Sequence, residues 1–140
     1  MNNKLNETIK SKRIGLIIYA RMSSKRFPGK VLKKFYQNQN ILDLIFYKLK
    51  KFKLTSNIVI ATSREKSDSK IISFCKKKNI QYFLGSNQNV FLRTVNCINK
   101  HNFKYIVRIC ADRPFFDVHV MKKMINLILD KKLNIITSKE

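Results

Sequence analysis

Alternation between two kinds of apolar segment is the feature that most constrains how this chain can fold. Short runs rich in β-branched residues, typical of strands covered on both faces, occur at residues 14–19, 57–61, 80–84, 105–109 and 134–137. Between most of these runs, apolar residues recur every three or four positions, which is the period of an amphipathic helix. Strands and helices in alternation indicate βαβ crossovers around a parallel sheet. The sequence therefore predicts an α/β fold of the Rossmann-like, doubly wound type with a mostly parallel sheet.

Four apolar stripes define the inner faces of the predicted helices. They comprise Ile41, Ile45, Leu49 and Phe52; Ile71, Ile72 and Cys75; Phe91, Val95 and Ile98; and Met121, Met124, Ile125 and Ile128. Asp68 and Asp117 precede the second and fourth stripes, where a carboxylate can cap the first turn of a helix. Residues 1–13 are polar and rich in Asn and Lys, so we expect a short, disordered, basic lead-in before an α/β domain of residues 14–140.

The chain is strongly basic, with 30 Lys and Arg against 8 Asp and Glu and a formal net charge of +22. Such an excess attracts polyanions such as nucleic acid, anionic lipid or nucleotides. Lys, Asn and Ile are abundant throughout, which favours a compositional bias as the origin of the charge. Binding of nucleic acid is still not excluded, although the sequence contains neither an RRM motif nor a GXXG loop.

Hydropathy places the chain away from membranes. No apolar run approaches the ~20 residues that a membrane-spanning helix needs. The first residues lack the apolar stretch of a secretory signal. We therefore expect a cytoplasmic protein without a membrane span.

The long loop after the first predicted strand is the first candidate site, because ligands of open parallel sheets bind beyond the carboxyl ends of the strands. Residues 20–30 contain two serines and four cations, Arg21, Lys25, Arg26 and Lys30. Guanidinium groups, a lysine charge and exposed backbone N–H groups suit a triphosphate. The spacing is neither that of a Walker loop nor that of GxGxxG. Two interpretations stay open from the residues alone, a triphosphate-binding loop and a solvated basic loop.

Asp112 is the second candidate, since it follows the fourth predicted strand directly in a chain with 8 acids. Mg²⁺ commonly takes one or two carboxylates together with phosphate oxygens of a substrate. Asp112 opposite the basic loop suits that role. The alternative is a turn residue, or an ion pair with Arg108 or Arg113.

Residues 20–30, ARMSSKRFPGK, resemble the ARMxSxRLPGK loop of the cytidylyltransferases of the spore coat polysaccharide biosynthesis type. Those enzymes are relatives of the acylneuraminate and 3-deoxy-manno-octulosonate cytidylyltransferases. The similarity continues through residues 60–63, 83–86 and 90–93, and residues 108–117, RICADRPFFD, are similar to a family segment RITADCPLID. The resemblance implies a fold of the nucleotide-diphospho-sugar transferase type. It also implies that this chain is the N-terminal portion, with a sheet that is incomplete at the C-terminus.

The activity that this resemblance implies is transfer of CMP from CTP to a sugar, often an acidic one, with release of pyrophosphate. The product would serve the synthesis of surface polysaccharide precursors. By position in the motifs, Arg21, Lys30 and Asp112 would be catalytic, and Asp112 would bind Mg²⁺ as the cofactor. The implied nucleotide-binding positions are Ala20, Arg21, Met22, Ser23, Ser24, Arg26, Lys30, Ala61, Thr62, Ser63, Gly85, Arg93 and Arg108. Residues 61–63, Gly85 and Arg93 would lie near the base and ribose, and Arg108 would steady Asp112.

Three positions depart from the family pattern. Tyr19 stands where the family usually has Gln, Arg64 where an acid is common, and Leu92 where the family has Asp. Family members also continue beyond this length, into a part that supplies sugar contacts, a dimerisation region and a second metal-binding Asp. The second interpretation is therefore a degenerate, inactive Rossmann-like domain that binds polyanions such as nucleic acid. The acceptor sugar and a homodimer both stay open.

Overall fold

A computed structural model describes residues 2–24 and 26–137 and contains five α-helices and four strands within them. In chain order these are α1 (Asn2–Ser11), β1 (Ile14–Tyr19), α2 (Ile41–Lys51), β2 (Ile58–Ser63), α3 (Ser69–Lys78), β3 (Gln81–Gly85), α4 (Val90–His101), β4 (Tyr105–Cys110) and α5 (Val118–Lys131). A 3₁₀ turn, Lys66–Asp68, precedes α3. None of the helices in the described ranges has the length and apolar character needed to cross a bilayer.

The four strands form one parallel sheet in the order β3-β2-β1-β4. The chain moves outward from β1 to β2 and β3, and then returns to place β4 on the other side of β1. Strand order therefore reverses between β1 and β4, which is where open α/β sheets bind ligands. Tyr19, the last residue of β1, is in register with Ala61 and Cys110, so these three strands end at one edge. The predicted α/β fold with a parallel sheet is confirmed.

Helices cover both faces of the sheet. The larger core contains Leu16, Ile18 and Ile60 from the strands, packed with apolar residues of α1, α2, α3 and α5. The smaller core lies under α4 and contains Ile17, Val59, Ala61, Phe83 and Cys97. Because successive side chains of a strand point to opposite faces, burial on both sides requires the nearly continuous apolar runs of β1 and β2.

Residues 2–11 correct the prediction of a disordered lead-in, since they form α1. Ile9 is fully buried and Leu5 packs against the same core, so this helix has an apolar face of two residues four positions apart. Asn6 ties the helix to the loop before β2 by accepting hydrogen bonds from the backbone N–H groups of Thr55 and Ser56. A stripe this short carries little periodic signal. Met1 lies outside the described residues.

The predicted strand at residues 134–137 is also wrong. These residues have no strand structure, and Ile135 is exposed. A β-branched run becomes a strand only where a neighbouring strand offers hydrogen bonds. No strand of the described part of the chain pairs with this run.

The inner face of α4 differs from the predicted stripe as well. Phe91 is exposed, whereas Arg93 and Cys97 are buried. The first turn of α4 therefore faces the sheet with an arginine, which no rule of apolar periodicity would select. Its hydrogen-bond partners lie in the loop after β3.

The two predicted aspartate caps have different outcomes. Asp117 caps α5 as expected, accepting hydrogen bonds from the backbone N–H groups of His119 and Val120. The hydrogen bonds from Val120 and His119 lower the pKa of the Asp117 carboxyl. Asp68 makes no side-chain cap at α3 and is buried instead.

Candidate functional site

Two loops flank the point where strand order reverses, and they bring Lys30 and Asp112 together. The Lys30 Nζ lies 3.8 Å from the Asp112 Oδ2, with 28% and 55% of the two side chains exposed. Both residues come from the sequence-predicted site, one from each candidate loop. A cation and a carboxylate thus share an accessible position at the carboxyl edge of β1 and β4.

A groove of about 440 Å³ opens beside this pair. Its walls are mainly aromatic and basic: Phe27, Lys30, Lys33, Lys34, Phe35, Ile41, Asp112, Pro114 and Phe115. The Lys33 Nζ lies 4.7 Å from the centre of the Phe27 ring, so this wall is held partly by a cation–π contact. Phe115 is 81% exposed at the rim of this groove.

The base of the loop is anchored by Asp68, which sequence reasoning missed as a site residue. Its Oδ1 accepts the Met22 backbone N–H at 2.7 Å, and its Oδ2 accepts from the Thr62 Oγ1 at 2.9 Å, the Ser63 N–H at 3.1 Å and the Ser63 Oγ at 2.5 Å. Four donors therefore bind this carboxylate, three at Oδ2 and one at Oδ1. Asp68 is fully buried and joins the end of β2 to the loop after β1.

The side chains of residues 61–63, which were expected near the base and ribose, are enclosed in the structure. Ala61, Thr62 and Ser63 are fully buried, so their side chains offer no open surface to a base or ribose. The two hydroxyl groups serve Asp68, and the Ala61 carbonyl accepts the Ala20 backbone N–H at 3.2 Å. Ala20 is buried too, and these residues therefore position the loop from below.

The loop closes on the Met22 carbonyl, which accepts the backbone N–H groups of Ser24 at 3.0 Å and Gly29 at 2.8 Å. Gly29 has a φ of 73°, in the left-handed region that glycine adopts without steric cost. A Cβ at Gly29 would lie 3.3 Å from the Met22 Cε. The Pro-Gly turn thus returns the chain to Met22 one residue before Lys30.

Arg93 supports the loop after β3. Its Nε and Nη2 donate to the Ser86 carbonyl at 2.8 and 2.6 Å, and Nη2 also donates to the Asn87 carbonyl at 3.2 Å. Burial lowers the pKa of the guanidinium, and the positive charge of Arg21 lowers it further. A Cβ at Gly85 would overlap the Cγ of Arg93, so the glycine is required for this packing. Arg93 and Gly85, both expected near the base and ribose, are buried beneath this loop.

Asn87 links three loops of the same edge and was not predicted. Its carbonyl and its Oδ1 accept from the Arg21 Nη1 at 3.1 and 3.4 Å, and its Nδ2 donates to the Glu65 carboxylate. Arg21 was expected to hold a triphosphate. In the structure its Nη1 is hydrogen-bonded to Asn87. This contact uses Nη1 only, and a guanidinium has five N–H donors on three nitrogen atoms.

Arg108 was expected to steady Asp112, but its guanidinium lies 5.3 Å from the centre of the Tyr19 ring. Asp112 forms its ion pair with Lys30 instead. Tyr19 is held in turn by a 2.8 Å hydrogen bond to the Thr94 hydroxyl, and burial raises the pKa of the tyrosine. The Thr94 hydroxyl donates to the Val90 carbonyl, so Tyr19 must be the donor in their bond.

The remaining loop residues form its solvent-facing tip. Ser23 and Arg26 are exposed, and Ser24 is half-buried, with its Oγ accepting the Phe27 backbone N–H at 3.4 Å. Lys25 lies outside the described residues. Arg26, Ser23 and the partly exposed Lys30 are therefore the side chains of the predicted loop set that are most accessible to solvent.

A second, larger groove of about 820 Å³ lies at the opposite edge, between α2 and α3. Its walls include Asn57 and the ion pair of Lys78 and Asp43, at 3.1 Å. This groove lies at the amino ends of β2 and β3, away from the reversal of strand order. Its position therefore makes the larger groove the weaker candidate for a ligand site.

The carboxylates near the loop suit a metal ion that binds together with substrate phosphates better than a metal ion held by protein side chains alone. No group of three or more His, Cys, Asp or Glu side chains able to hold a metal occurs in the described parts of the chain. Asp112 offers one accessible carboxylate, and Mg²⁺ commonly takes one or two carboxylates with its other positions filled by phosphate oxygens and water.

Comparison with known proteins decides the family. The cytidylyltransferase family model matches residues 16–139. The chain belongs to this family. It spans about half the length of the relatives it matches, because an alignment over 88% of the chain covers 50% of the first relative. The chain therefore corresponds to about half of such longer proteins of the cytidylyltransferase family.

Two relatives are similar to this cytidylyltransferase-family chain in sequence. An uncharacterised protein of Methanocaldococcus jannaschii is 32% identical over 123 residues. The spore coat polysaccharide biosynthesis protein SpsF of Bacillus subtilis is 34% identical over 119 residues, which are 82% of this chain and 49% of that protein.

Two solved structures share the fold. A cytidylyltransferase from Leptospira borgpetersenii serovar Hardjo-bovis superposes with a TM-score of 0.78 at 32% identity, over 86% of this chain and 50% of that one. CMP:2-keto-3-deoxy-manno-octonic acid synthetase, solved in complex with CTP, superposes with a TM-score of 0.69 at 16% identity, over 86% of this chain and 48% of that one. At that identity the second likeness shows the fold alone.

Proposed function

We propose that this chain binds CTP at the carboxyl edge of its sheet and acts in the transfer of CMP from CTP to a sugar hydroxyl. Pyrophosphate is the second product. The observation that carries the proposal is the approach of Lys30 and Asp112 to 3.8 Å across the reversal of strand order. Membership of the cytidylyltransferase family supports the choice of CTP.

The loop tip supplies the charge that a triphosphate needs. Arg26 is exposed, and Lys30 is held in an accessible pair that is long for a salt bridge. Such a pair is worth ~0–1 kcal/mol, so phosphate oxygens can replace the carboxylate at Lys30 at little cost. Charge-assisted hydrogen bonds from both residues would then orient the phosphates.

Asp112 is proposed to hold Mg²⁺ that accompanies the triphosphate. The metal would neutralise charge on the phosphate oxygens as pyrophosphate leaves. When Lys30 turns to the phosphates, Asp112 loses its contact with that cation, and its accessible carboxylate can take the metal. The two residues would thus exchange a contact with each other for contacts with the substrate.

Positioning is the main task of the chain in this reaction. The sugar oxygen forms a bond to the α-phosphorus and releases its proton to solvent, while the bond from that phosphorus to the pyrophosphate oxygen breaks. Fixed cations at the leaving group and a fixed substrate geometry lower the barrier to such a step.

We propose a role in surface polysaccharide precursor synthesis in the cytoplasm, on the family resemblance and the similarity to SpsF.

The test is calorimetric titration of the purified chain with CTP, and with ATP as control, at near-physiological salt with and without Mg²⁺. Saturable binding that favours CTP and strengthens with Mg²⁺ is expected. Equal weak binding of both nucleotides that disappears as salt is raised would contradict the proposal, since that is the behaviour of a general polyanion surface.

A further inference from the structure

We propose that Asp68 is a positioning residue for the phosphate-binding loop, and that it gives the chain its preference for a nucleoside triphosphate over a monophosphate. This inference rests on the proposed binding of CTP. Asp68 lies in the 3₁₀ turn before α3 and is fully buried, so it would act on the ligand only through the loop.

The two oxygens of this carboxylate have separate partners. Oδ2 accepts three hydrogen bonds from Thr62 and Ser63, at the end of β2. Oδ1 accepts the backbone N–H of Met22, which is 46 residues away in the chain, at 2.7 Å. One side of the carboxylate is therefore fixed by the sheet, and the other side holds the loop.

Met22 connects Asp68 to the proposed phosphate-binding residues through hydrogen bonds of its own backbone. Its N–H is held by Asp68, and its carbonyl accepts the N–H of Gly29 at 2.8 Å. Gly29 is followed by Lys30, whose Nζ lies 3.8 Å from the Asp112 carboxylate. A continuous series of contacts thus connects a buried acid to the cation that faces the ligand.

Only a carboxylate satisfies both sides at once. The amide of an asparagine side chain has one acceptor oxygen, and its NH₂ group would present donors to a donor. In Asp68→Asn, the three donors of β2 would hold that single oxygen, leaving the Met22 N–H opposite the NH₂ group. The sheet end would stay in place while the loop became free to move.

The first test follows the loop without any nucleotide. Asp68→Asn is expected to raise the exchange rate of the Met22 amide at least tenfold in NMR-detected hydrogen exchange, while amides in the middle of β1 and β2 keep their relative protection. Asp43→Asn is the matched control, because Asp43 also accepts a backbone N–H, that of Asn40 at 3.3 Å, but in α2. Unchanged exchange at Met22, or the same acceleration at every core amide, would overturn the inference.

The second test compares CTP with CMP by calorimetry. Asp68→Asn is expected to weaken CTP binding at least tenfold more than CMP binding, because only CTP reaches the displaced cations with its outer phosphates. Asp43→Asn should keep the wild-type ratio of the two dissociation constants. A wild-type ratio in Asp68→Asn would overturn the inference. If the wild-type chain bound no CTP, the proposed function would be wrong, while Met22 exchange would still decide whether Asp68 holds the loop.

A second variant covers the case in which Asp68→Asn does not fold. Gly29→Ala strains the other hydrogen bond of Met22 and leaves Asp68 in place. The same selective loss of CTP affinity over CMP affinity is expected. An unchanged ratio in Gly29→Ala would show that loop closure on Met22 does not position the cations, and the inference would fall with it.

Discussion

The loop at residues 20–30 has a buried or half-buried base, residues 20–22, and a mainly solvent-exposed tip, residues 23–24 and 26–28. At the base, Ala20 is buried and the Met22 N–H is bound to a fully buried carboxylate. At the tip, Arg26 is exposed and Phe27 is 46% exposed, and the hydrogen bonds of the Phe27 backbone stay within the loop. One continuous motif therefore has two tasks: its base fixes the position of the loop, and its tip presents side chains to solvent. Substitutions should separate them.

The same division explains why many motif positions are buried. Residues 61–63, Gly85 and Arg93 match the family pattern at the positions expected near the nucleotide, and each is enclosed beneath a loop of the carboxyl edge. Through Asp68 and Arg93, these positions hold Met22 and Asn87 from below. Changes at the base should therefore lower stability and, by moving the loop, CTP affinity as well, whereas changes at the tip should lower CTP affinity with little effect on stability.

The largest effect is expected for Asp68→Ala. Removing the carboxylate leaves four donors without their acceptor in a buried position, and each such loss costs ~1–3 kcal/mol before relaxation. We expect the free energy of unfolding to fall by about 3–5 kcal/mol in urea titrations. Asp112→Ala is the control, with a change within ~0.5 kcal/mol. If both variants changed the free energy of unfolding by similar small amounts, the claim that the base of the loop is the part that stabilises the fold would be wrong.

Lys30→Ala and Arg26→Ala should have the opposite profile. Each removes a charged donor to phosphate, so CTP binding should weaken by about 1.5–3 kcal/mol in calorimetry. The free energy of unfolding should change by less than ~0.5 kcal/mol, because both side chains are accessible. Lys76→Ala on α3 controls for the loss of one charge from a very basic chain. An equal loss of affinity in that control would mean that total charge, and not the loop, attracts the nucleotide.

Gly29→Ala tests the junction between base and tip. A left-handed backbone costs a non-glycine residue ~1–2 kcal/mol, and the new methyl group would touch Met22. We expect a decrease of that size in the free energy of unfolding, measured by chemical denaturation. Ser23→Ala, an exposed position of the same loop, should be nearly neutral. Equal stabilities for the two variants would indicate that the Pro-Gly turn relaxes freely.

Asp112→Asn should have the smallest effect on stability, within ~0.5 kcal/mol, because its ion pair with Lys30 is exposed and long. Its effect on ligand binding should be qualitative, since CTP affinity should no longer increase with Mg²⁺. Asp130→Asn, on the exposed side of α5, is the matched control. A wild-type Mg²⁺ dependence in Asp112→Asn would remove the metal role from this residue.

Local sequence rules predicted the elements better than their contacts. The run at residues 14–19 became β1 as expected, and Asp117 capped α5, because both depend on neighbouring residues. The run at residues 134–137 has a similar composition, but no strand of the described residues pairs with it. Asp68 precedes a helix as Asp117 does, but it binds residues of β2 and of the loop after β1. Those outcomes depend on residues far along the chain.

The site followed the same rule. Lys30 and Asp112 were predictable because each follows a strand at the carboxyl edge, where the topology itself brings them together. Asn87 was missed because it binds Arg21 and Glu65 of other loops, which leaves no residue pattern. Asp68 was missed because its position before a helix was interpreted as a cap. A usable signal did exist for Asp68: two hydroxyl residues that end a buried strand, Thr62 and Ser63, require an acceptor nearby.

The most direct test of the nucleotide site is a hydrogen-exchange footprint of the chain with and without CTP and Mg²⁺. A site at the carboxyl edge predicts slowed exchange at residues 21–24, 26–30 and 110–113, on both sides of the Lys30 and Asp112 pair. Exchange around the larger groove, near Asn57 and Lys78, should be unchanged. Protection at that opposite edge, with none at the loop, would contradict the account.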